Sequence, residues 1–222
     1  MQKFTALLLG ATGLVGGELL QQLLKDDRFD RIRVFTRRPL ELSHPKLEQH
    51  QINFNAPGEW QALVQGDVLF STLGTTMKKA GSKKNQFLVD YTYQYQFAKA
   101  ASTNGVSAYV LVSSAGANPK SQIFYSRMKG ELDRDVKALS FNQTIILRPS
   151  FLDGNRQEKR PFEQLGLKIN RWLTRYVFKK YRPTPAKVVA QAMINVAVNP
   201  KKYSDYRIFE LNELFKLAND NT

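Results

Sequence analysis

Cysteine is absent from the sequence, and histidine occurs only at His44 and His50. Without thiols the chain has no disulfides, no thiolate metal site and no cysteine nucleophile. Two histidines in one polar stretch provide little material for a histidine metal cluster or a serine hydrolase triad. We therefore expect no metal site and look for the chemistry of this chain in other residue types.

Long apolar runs are also missing. No stretch approaches the about 20 apolar residues that a membrane-spanning helix needs. The charged continuation over residues 18–25 is unlike a mature N-terminus behind a cleaved secretory signal. At 222 residues the chain fits one α/β domain, and we expect a cytoplasmic protein.

Acidic residues are few, because 19 Asp and Glu stand against 33 Lys and Arg and leave a formal net charge of +14. Such an excess is typical of proteins that bind nucleic acid, an anionic membrane or an anionic cofactor and substrate. The chain has no nucleic-acid recognition motif, so we expect no nucleic-acid partner. Residues 168–182 combine basic residues with apolar residues at helical spacing. They are predicted to form a helix that contacts a membrane or a protein, or that packs on the core with its charges solvated.

Glycines are concentrated near the N-terminus. Residues 4–9 form an apolar run long enough for one buried strand, and Gly10, Gly13 and Gly16 follow it, ahead of a helix-like segment. A chain that turns sharply out of a strand can bring its peptide N–H groups, at the positive end of a helix, against a pyrophosphate. The pattern indicates a dinucleotide site, and the alternative is that the glycines only let the helix pack closely on its strand.

A second predicted strand, residues 31–36, runs directly into Arg37 and Arg38. In a dinucleotide-binding fold this position meets the adenosine ribose, where an acid binds the 2′-hydroxyl and an arginine accommodates a 2′-phosphate. Two arginines without an acid favour NADP(H) over NAD(H), because a guanidinium makes charge-assisted hydrogen bonds to a phosphate. The alternative is an ordinary basic loop.

Strands and helices alternate along the first 150 residues. The further predicted strands are residues 47–54, 67–72, 108–112 and 143–147, and the main predicted helices are residues 85–104 and 121–139. This rhythm predicts an α/β fold with a doubly wound parallel sheet that helices cover on both faces.

Beyond Pro149 the regular alternation of strands and helices ends. Residues 150–222 are expected to form a small helical lid on the substrate side of a single domain spanning residues 1–222, with helices at 162–181 and 185–198 and a strand at 206–209.

Tyr125 and Lys129 are four residues apart and share a face if they lie on a helix. The pair suits carbonyl reduction, since a tyrosine can donate the proton as hydride arrives and an ammonium group lowers its pKa from about 10. The same spacing recurs in two other pairs, Tyr95/Lys99 and Tyr176/Lys180. Tyr125 differs in its context, because it follows a strand that ends in Ser113 and Ser114, whose hydroxyls suit polarisation of the same carbonyl.

Several motifs, taken in order, resemble those of an atypical short-chain dehydrogenase/reductase. They are the glycine pattern and residues 36–38, 71–76, 113–117, 125–131, 147–150, 154–156 with Arg160, and 181–183. The resemblance covers nearly the whole chain. It points to the Tat-interacting-protein-like branch and its bacterial relatives, which are described as nucleoside-diphosphate-sugar epimerases.

The resemblance implies a Rossmann fold that binds NADP(H). The cofactor residues it implies are Gly10, Thr12, Gly13, Leu14 and Val15 at the pyrophosphate, Arg37 and Arg38 after Thr36 at the 2′-phosphate, and Leu73, Gly74 and Thr75 on the adenosine side. Pro149 and Ser150 are implied beside the carboxamide. Tyr125 is implied as the acid/base, with Lys129 on the nicotinamide ribose and Ser114, or else Ser113, as the group that polarises the substrate.

Two departures refine this expectation. No acid for adenine contact is evident near residues 53–55, and the chain is much shorter than true sugar epimerases of the superfamily. A reductase of small carbonyl compounds therefore fits better than an epimerase. The alternative function is an NADPH-sensing binding protein that acts through its basic C-terminal face on a protein or membrane partner.

Overall fold

A computed structural model of the chain describes residues 3–153 and 182–220. Its main sheet contains strands β1 (Phe4–Leu9), β2 (Phe29–Thr36), β3 (Leu47–Gln51), β4 (Val68–Ser71), β5 (Ala108–Val112), β6 (Gln143–Arg148) and β9 (Tyr206–Glu210). They are parallel and lie in the order β3-β2-β1-β4-β5-β6-β9. The predicted doubly wound parallel sheet of the Rossmann type is thereby confirmed.

Helices cover both faces of the sheet, so the strands are apolar on both sides. In β1, Ala6 and Leu8 belong to one core cluster, and Leu7 and Leu9 belong to the other. The first cluster includes helices α1 (Leu14–Lys25), α7 (Ala186–Val198) and α8 (Glu213–Ala218). The second includes α2 (Pro57–Trp60), α5 (Tyr93–Thr103) and α6 (Phe124–Lys137).

The helix predicted over residues 85–104 is not a regular α-helix throughout. It begins as α4 (Lys83–Phe87), which follows the short α3 (Met77–Ala80), widens into a π-helical turn at Leu88–Thr92 and continues as α5. The helix ends as predicted, because Gly105 adopts a left-handed φ of 80° after the last turn. The π-turn carries Asp90, which is almost fully buried beside the carboxyl end of β4.

The C-terminal part of the chain returns to the sheet. Two short strands, β7 (Leu152–Asp153) and β8 (Thr184–Pro185), pair with each other, and α7 follows directly after Pro185. β9 then extends the sheet next to β6. The predicted lid therefore contributes a helical layer and an edge strand, while its role on the substrate side stays a prediction.

The helix predicted over residues 162–181 lies outside the described residues, as does nearly all of the basic segment 168–182. Among the helices that are described, none has the length and apolar character that a membrane crossing requires.

Candidate cofactor and active site

The glycine turn joins β1 to α1 at the carboxyl end of the sheet. Gly10 has a φ of 90°, and its carbonyl accepts a 2.9 Å hydrogen bond from the Gly13 N–H. A Cβ on Gly10 would lie 2.7 Å from the Leu73 peptide nitrogen, and a Cβ on Gly16 would lie 2.0 Å from the Gly10 carbonyl oxygen. Close packing therefore demands glycine at both positions, whatever the turn binds.

The N-terminus of α1 offers an anion site in addition. Gly13 is the N-cap, no side chain in the described part of the chain caps the helix, and its first turn contains no acidic residue. An uncapped helix N-terminus with a glycine approach suits a pyrophosphate. Thr12 and Gly13 are exposed there, whereas the Val15 side chain is buried in the core, so Val15 has only its backbone to offer. These residues fit a dinucleotide.

The loop after β4 lies against the glycine turn and is fixed by hydrogen bonds to other segments of the chain. The Thr72 hydroxyl donates to the Leu9 carbonyl at 2.9 Å, which joins the ends of β4 and β1. The Thr75 N–H donates to Asp90 Oδ2 at 2.8 Å, and Gly74 is so close that a Cβ there would lie 3.2 Å from Asp90 Oδ1. Gly74 and Thr75, two of the predicted adenosine-side residues, are thus held by a carboxylate that sequence reasoning missed.

Arg37 and Arg38 are exposed just beyond β2, and the Thr36 side chain is buried. Arg37 borders an open cleft of about 500 Å³ at the carboxyl ends of β2 and β3. The other residues that line the cleft are Gln51, Ile52, Asn53, Phe54, Asn55 and Tyr93. Sequence reasoning assigned no adenine contact near residues 53–55, and it did not identify Asn53 and Asn55 as residues of a cleft.

The wall of this cleft is preorganised by side chains from distant parts of the chain. The Tyr93 hydroxyl donates to Asn55 Oδ1 at 2.7 Å, and the Phe54 and Tyr93 rings stack with their centroids 5.2 Å apart. The Trp60 indole N–H donates to the Asn53 carbonyl at 3.0 Å. The cleft thus presents flat apolar rings and amide groups beside a guanidinium, which suits a nucleotide base next to a phosphate.

The predicted catalytic residues lie on α6 and on the chain that leaves β5. Tyr125 is partly exposed in the first turn of α6, whereas Lys129, one turn later, is only 3% exposed. Lys129 Nζ approaches the Val112 carbonyl oxygen at 3.5 Å. The structure therefore brings Lys129 against the end of β5, next to the two serines.

The two serines have different surroundings. Ser114 is partly exposed, and its hydroxyl contacts the neighbouring Ala115 carbonyl at 3.4 Å. Ser113 is only 6% exposed, so its hydroxyl is withdrawn from solvent. Ser114 is therefore the more accessible of the two serines. Within the described chain, no hydrogen bond joins Tyr125 to Ser114 or to Lys129.

Close packing fixes α6 against the loop that precedes it. A Cβ on Gly130 would lie 2.3 Å from the Asn118 carbonyl carbon and 2.3 Å from the Pro119 nitrogen. The Ser126 hydroxyl donates to the Gly116 carbonyl, and the Asn118 N–H donates to the Ser126 carbonyl at 3.0 Å. Gly130 therefore helps to place Tyr125, a role that spacing in the sequence did not indicate.

Pro149 and Ser150, predicted beside the carboxamide, follow β6. The Pro149 carbonyl accepts a 3.1 Å hydrogen bond from the Ala115 N–H, which ties the end of β6 to the serine loop. The Ser150 hydroxyl donates to the Arg182 carbonyl and lies 3.1 Å from the Thr184 hydroxyl. Both residues are therefore at the carboxyl edge of the sheet, where they also secure β8.

Charged residues of α6, β6 and β9 form a network next to this edge of the sheet. Arg148 bridges Asp133 on α6 and Glu210 on β9 through contacts of 2.9 and 2.8 Å. Burial raises the pKa of Asp133, and the Ser113 hydroxyl, Arg148 and Lys129 oppose that shift.

Across residues 3–153 and 182–220, no three His, Asp or Glu side chains are grouped as a metal ion would require.

A family model described as NAD(P)H-binding matches residues 10–200. The chain belongs to this NAD(P)H-binding family. The match begins at Gly10 and includes the glycine turn, the arginine pair, the β4 loop and the Tyr125/Lys129 helix. The family assignment does not separate NAD from NADP.

Curated proteins that are similar to this chain include fungal proteins of very similar length. "Protein FMP52-1, mitochondrial" of Scheffersomyces stipitis is 35% identical over 226 residues, which cover 96% of this chain and 99% of the relative. "Protein fmp52, mitochondrial" of Emericella nidulans is 39% identical over 166 residues, or 72% of this chain and 71% of the relative. The predicted cytoplasmic location is wrong on this comparison, since both relatives are named mitochondrial. The expectation rested on the lack of a long apolar run in the sequence, and that feature carries no information on the compartment.

Among solved structures, MoeE5 in complex with UDP-glucose and NAD has the same fold. The TM-score is 0.68 at 16% identity, and the alignment covers 98% of this chain and 82% of that one. At this identity the likeness concerns the fold alone.

Proposed function

We propose that this protein is an NADP(H)-dependent reductase of small carbonyl compounds, from the Tat-interacting-protein-like branch of the atypical short-chain dehydrogenases. The observation that carries the proposal is the position of Tyr125 and Lys129. Both lie on α6 at the sheet edge that also holds the glycine turn, with Lys129 reaching the end of β5 at 3.5 Å. The hydride would thereby reach the carbonyl carbon of the substrate while Tyr125 donates its proton to the carbonyl oxygen.

The chain supplies a separate group for each part of the cofactor. The α1 N-terminus would take the pyrophosphate, Arg37 and Arg38 the 2′-phosphate, and the cleft beside Tyr93 the adenine. Lys129 would bind the nicotinamide ribose, and Pro149 and Ser150 would border the carboxamide. When bound, the reduced nicotinamide supplies a hydride.

Tyr125 then completes the reduction. Its phenol donates a proton to the carbonyl oxygen as negative charge develops there, and the Lys129 ammonium favours loss of that proton by stabilising the phenolate. The Ser114 hydroxyl donates a hydrogen bond to the same oxygen and orients the substrate. Ser113 is not available for this step because it is buried behind the strand end.

The first test is titration of the protein with NADPH and NADH by fluorescence, followed by NADPH oxidation against aldehydes, ketones and quinones. Tighter binding of NADPH, with turnover that Tyr125→Phe removes, supports the proposal. Tight NADPH binding without turnover on any of these substrates favours a sensor of the cofactor state over the reductase. The membrane or protein contact predicted for residues 168–182 would belong to that second function.

A further inference from the structure

The loop after β4, residues 73–75, is enclosed between two other parts of the chain. On one side it meets the glycine turn, since a Cβ on Gly10 would lie 2.7 Å from the Leu73 nitrogen. On the other side it meets the carboxylate of Asp90, which the π-helical turn carries. Gly74 is exposed between these contacts, so the loop keeps an open face at the carboxyl edge of the sheet.

Asp90 holds this loop by its backbone. The residue is only 2% exposed, and its Oδ2 accepts the Thr75 N–H at 2.8 Å. A Cβ on Gly74 would lie 3.2 Å from Oδ1, so the carboxylate packs directly against that residue. Gln86, which is also buried, donates from Nε2 to the Thr75 carbonyl at 3.4 Å. Both polar backbone atoms of Thr75 are therefore bonded to the helix that contains the π-helical turn.

The π-helical turn itself is fixed by other groups. Gln94 Nε2 donates to the backbone carbonyl of Asp90 at 2.6 Å, and Gln94 Oε1 accepts a 2.8 Å hydrogen bond from the Ser71 hydroxyl. Gln94 and Ser71 are both fully buried. The hydroxyl of Tyr91, the next residue of the turn, donates to Asp135 on α6 at 2.6 Å. Removal of the Asp90 carboxylate should therefore release the loop and leave the turn in place.

Two features of Asp90 point to more than a part in the core. A buried carboxylate is costly unless it is compensated, and this one accepts a hydrogen bond from the loop that is assigned to adenosine. Helical turns of the π type are rare and frequently occur at functional sites. Here the π-helical turn brings Asp90 under residues 73–75, next to the glycine turn.

We propose that Asp90 is a positioning residue that holds the backbone of residues 73–75 ready for the adenosine half of the cofactor. The assignment of this loop to adenosine rests on the proposed function, whereas the hydrogen bond between Asp90 and Thr75 does not. The apparent affinity of a site falls with the fraction of molecules that are in the binding conformation. A released loop that spends about one-tenth of its time in that conformation would bind about tenfold more weakly.

The test measures the two halves of the cofactor separately, with adenosine 2′,5′-bisphosphate as one probe and nicotinamide mononucleotide as the other. For folded Asp90→Ala we expect about tenfold weaker binding of the bisphosphate by calorimetry. Binding of the mononucleotide should stay nearly unchanged. Hydrogen exchange of the Thr75 amide, measured by NMR, should become faster because this N–H loses its acceptor. Unchanged affinity for the bisphosphate, or equal losses for both probes, would overturn the proposal.

Tyr91→Phe is the matched control. It removes one side-chain hydrogen bond of the same turn, the bond to Asp135, and leaves the contact between Asp90 and Thr75 intact. We expect the affinity for the bisphosphate and the exchange of the Thr75 amide to stay close to those of the wild type. Losses as large as those of Asp90→Ala would show that any weakening of the turn releases the loop, and would overturn the specific role of Asp90.

Asp90→Asn tests whether the hydrogen bond holds the loop. Its amide oxygen can still accept the Thr75 N–H, although a neutral acceptor binds more weakly than a carboxylate. We expect its affinity for the bisphosphate to be closer to that of the wild type than the affinity of Asp90→Ala, and equal losses would overturn the proposal. If Asp90→Ala does not fold, Asp90→Asn replaces it, with an expected loss of about two- to threefold and faster Thr75 exchange. Unchanged values there would overturn the proposal.

Turnover in the same variants separates this proposal from the proposed function. A selective loss of affinity for the bisphosphate, with no turnover by the wild type, supports the positioning role and counts against the reductase. Unchanged affinity in Asp90→Ala, with a wild type that reduces carbonyl compounds, overturns the positioning role and leaves the reductase in place.

Discussion

The carbonyl oxygen of Gly10 occupies the place where a side chain on Gly16 would begin, 2.0 Å from an ideal Cβ. Gly16 lies in the first turn of α1, and Gly10 closes the turn that leads to it. The helix therefore sits directly on the turn, and the distance between helix and strand is set by two residues without side chains.

Gly16→Ala should destabilise the protein, because neither the Gly10 carbonyl nor α1 can move without disturbing the β1–β4 contact. We expect a loss of about 2 kcal/mol or more in the free energy of unfolding, measured with urea, and weaker NADPH binding. Gly17→Ala is the control, since among the described residues its Cβ would meet only the Ala11 carbonyl, at 3.7 Å. Alanine favours the helix there by up to about 1 kcal/mol. Equal stability of the two variants would contradict the packing argument.

Arg37→Gln should weaken NADPH binding at least about tenfold and leave NADH binding nearly unchanged, because only NADPH carries the 2′-phosphate. Arg31→Gln removes the same charge from an exposed position near the other end of β2. Fluorescence titration of the two variants with both cofactors separates a local contact from the general effect of net charge. Equal losses for NADH and NADPH would refute the 2′-phosphate assignment.

Tyr125→Phe should lower turnover by about 10²- to 10⁴-fold, the usual contribution of a general acid. NADPH affinity should stay close to that of the wild type, since the phenol is assigned to the substrate. Tyr95→Phe is the control, because Tyr95 and Lys99 repeat the spacing on α5. The rate of NADPH oxidation distinguishes the pairs, and a comparable loss in both variants would remove the case for Tyr125.

Gly130→Ala tests whether the packing of α6 positions the proton donor. Alanine usually stabilises the interior of a helix, but here its Cβ would lie 2.3 Å from backbone atoms of Asn118 and Pro119. We expect a lower turnover and a lower melting temperature, with NADPH affinity largely retained. The Cβ of Gly58→Ala in α2 meets no atom of residues 3–153 or 182–220 within 4 Å, so this variant should change neither quantity. Full turnover in folded Gly130→Ala would show that Tyr125 does not depend on this contact.

Much of the fold could be predicted from local sequence signals. The useful signals were the apolar run of β1, the glycines after it and the alternation of strands and helices up to Arg148. Each signal depends on a few neighbouring residues, and the order of the predicted elements indicates a parallel sheet. The π-turn could not be predicted in this way. The apolar spacing of residues 85–104 suits a continuous helix, and the widening at Leu88–Thr92 appears only in the structure, where it accompanies the contact of Asp90 with the β4 loop.

The residues of the candidate site, too, were predicted in part from the sequence and found in part only in the structure. The sequence by itself determined the glycine turn, the arginine pair and the Tyr125/Lys129 spacing, because each is a short pattern whose geometry follows from the backbone. Only the tertiary structure decided that Ser114 is accessible and Ser113 buried, since the facing of adjacent residues depends on how β5 is packed. The contacts of Asp90, Tyr93 and Asp133 were likewise decided by packing, because each of these side chains meets partners from other segments of the chain.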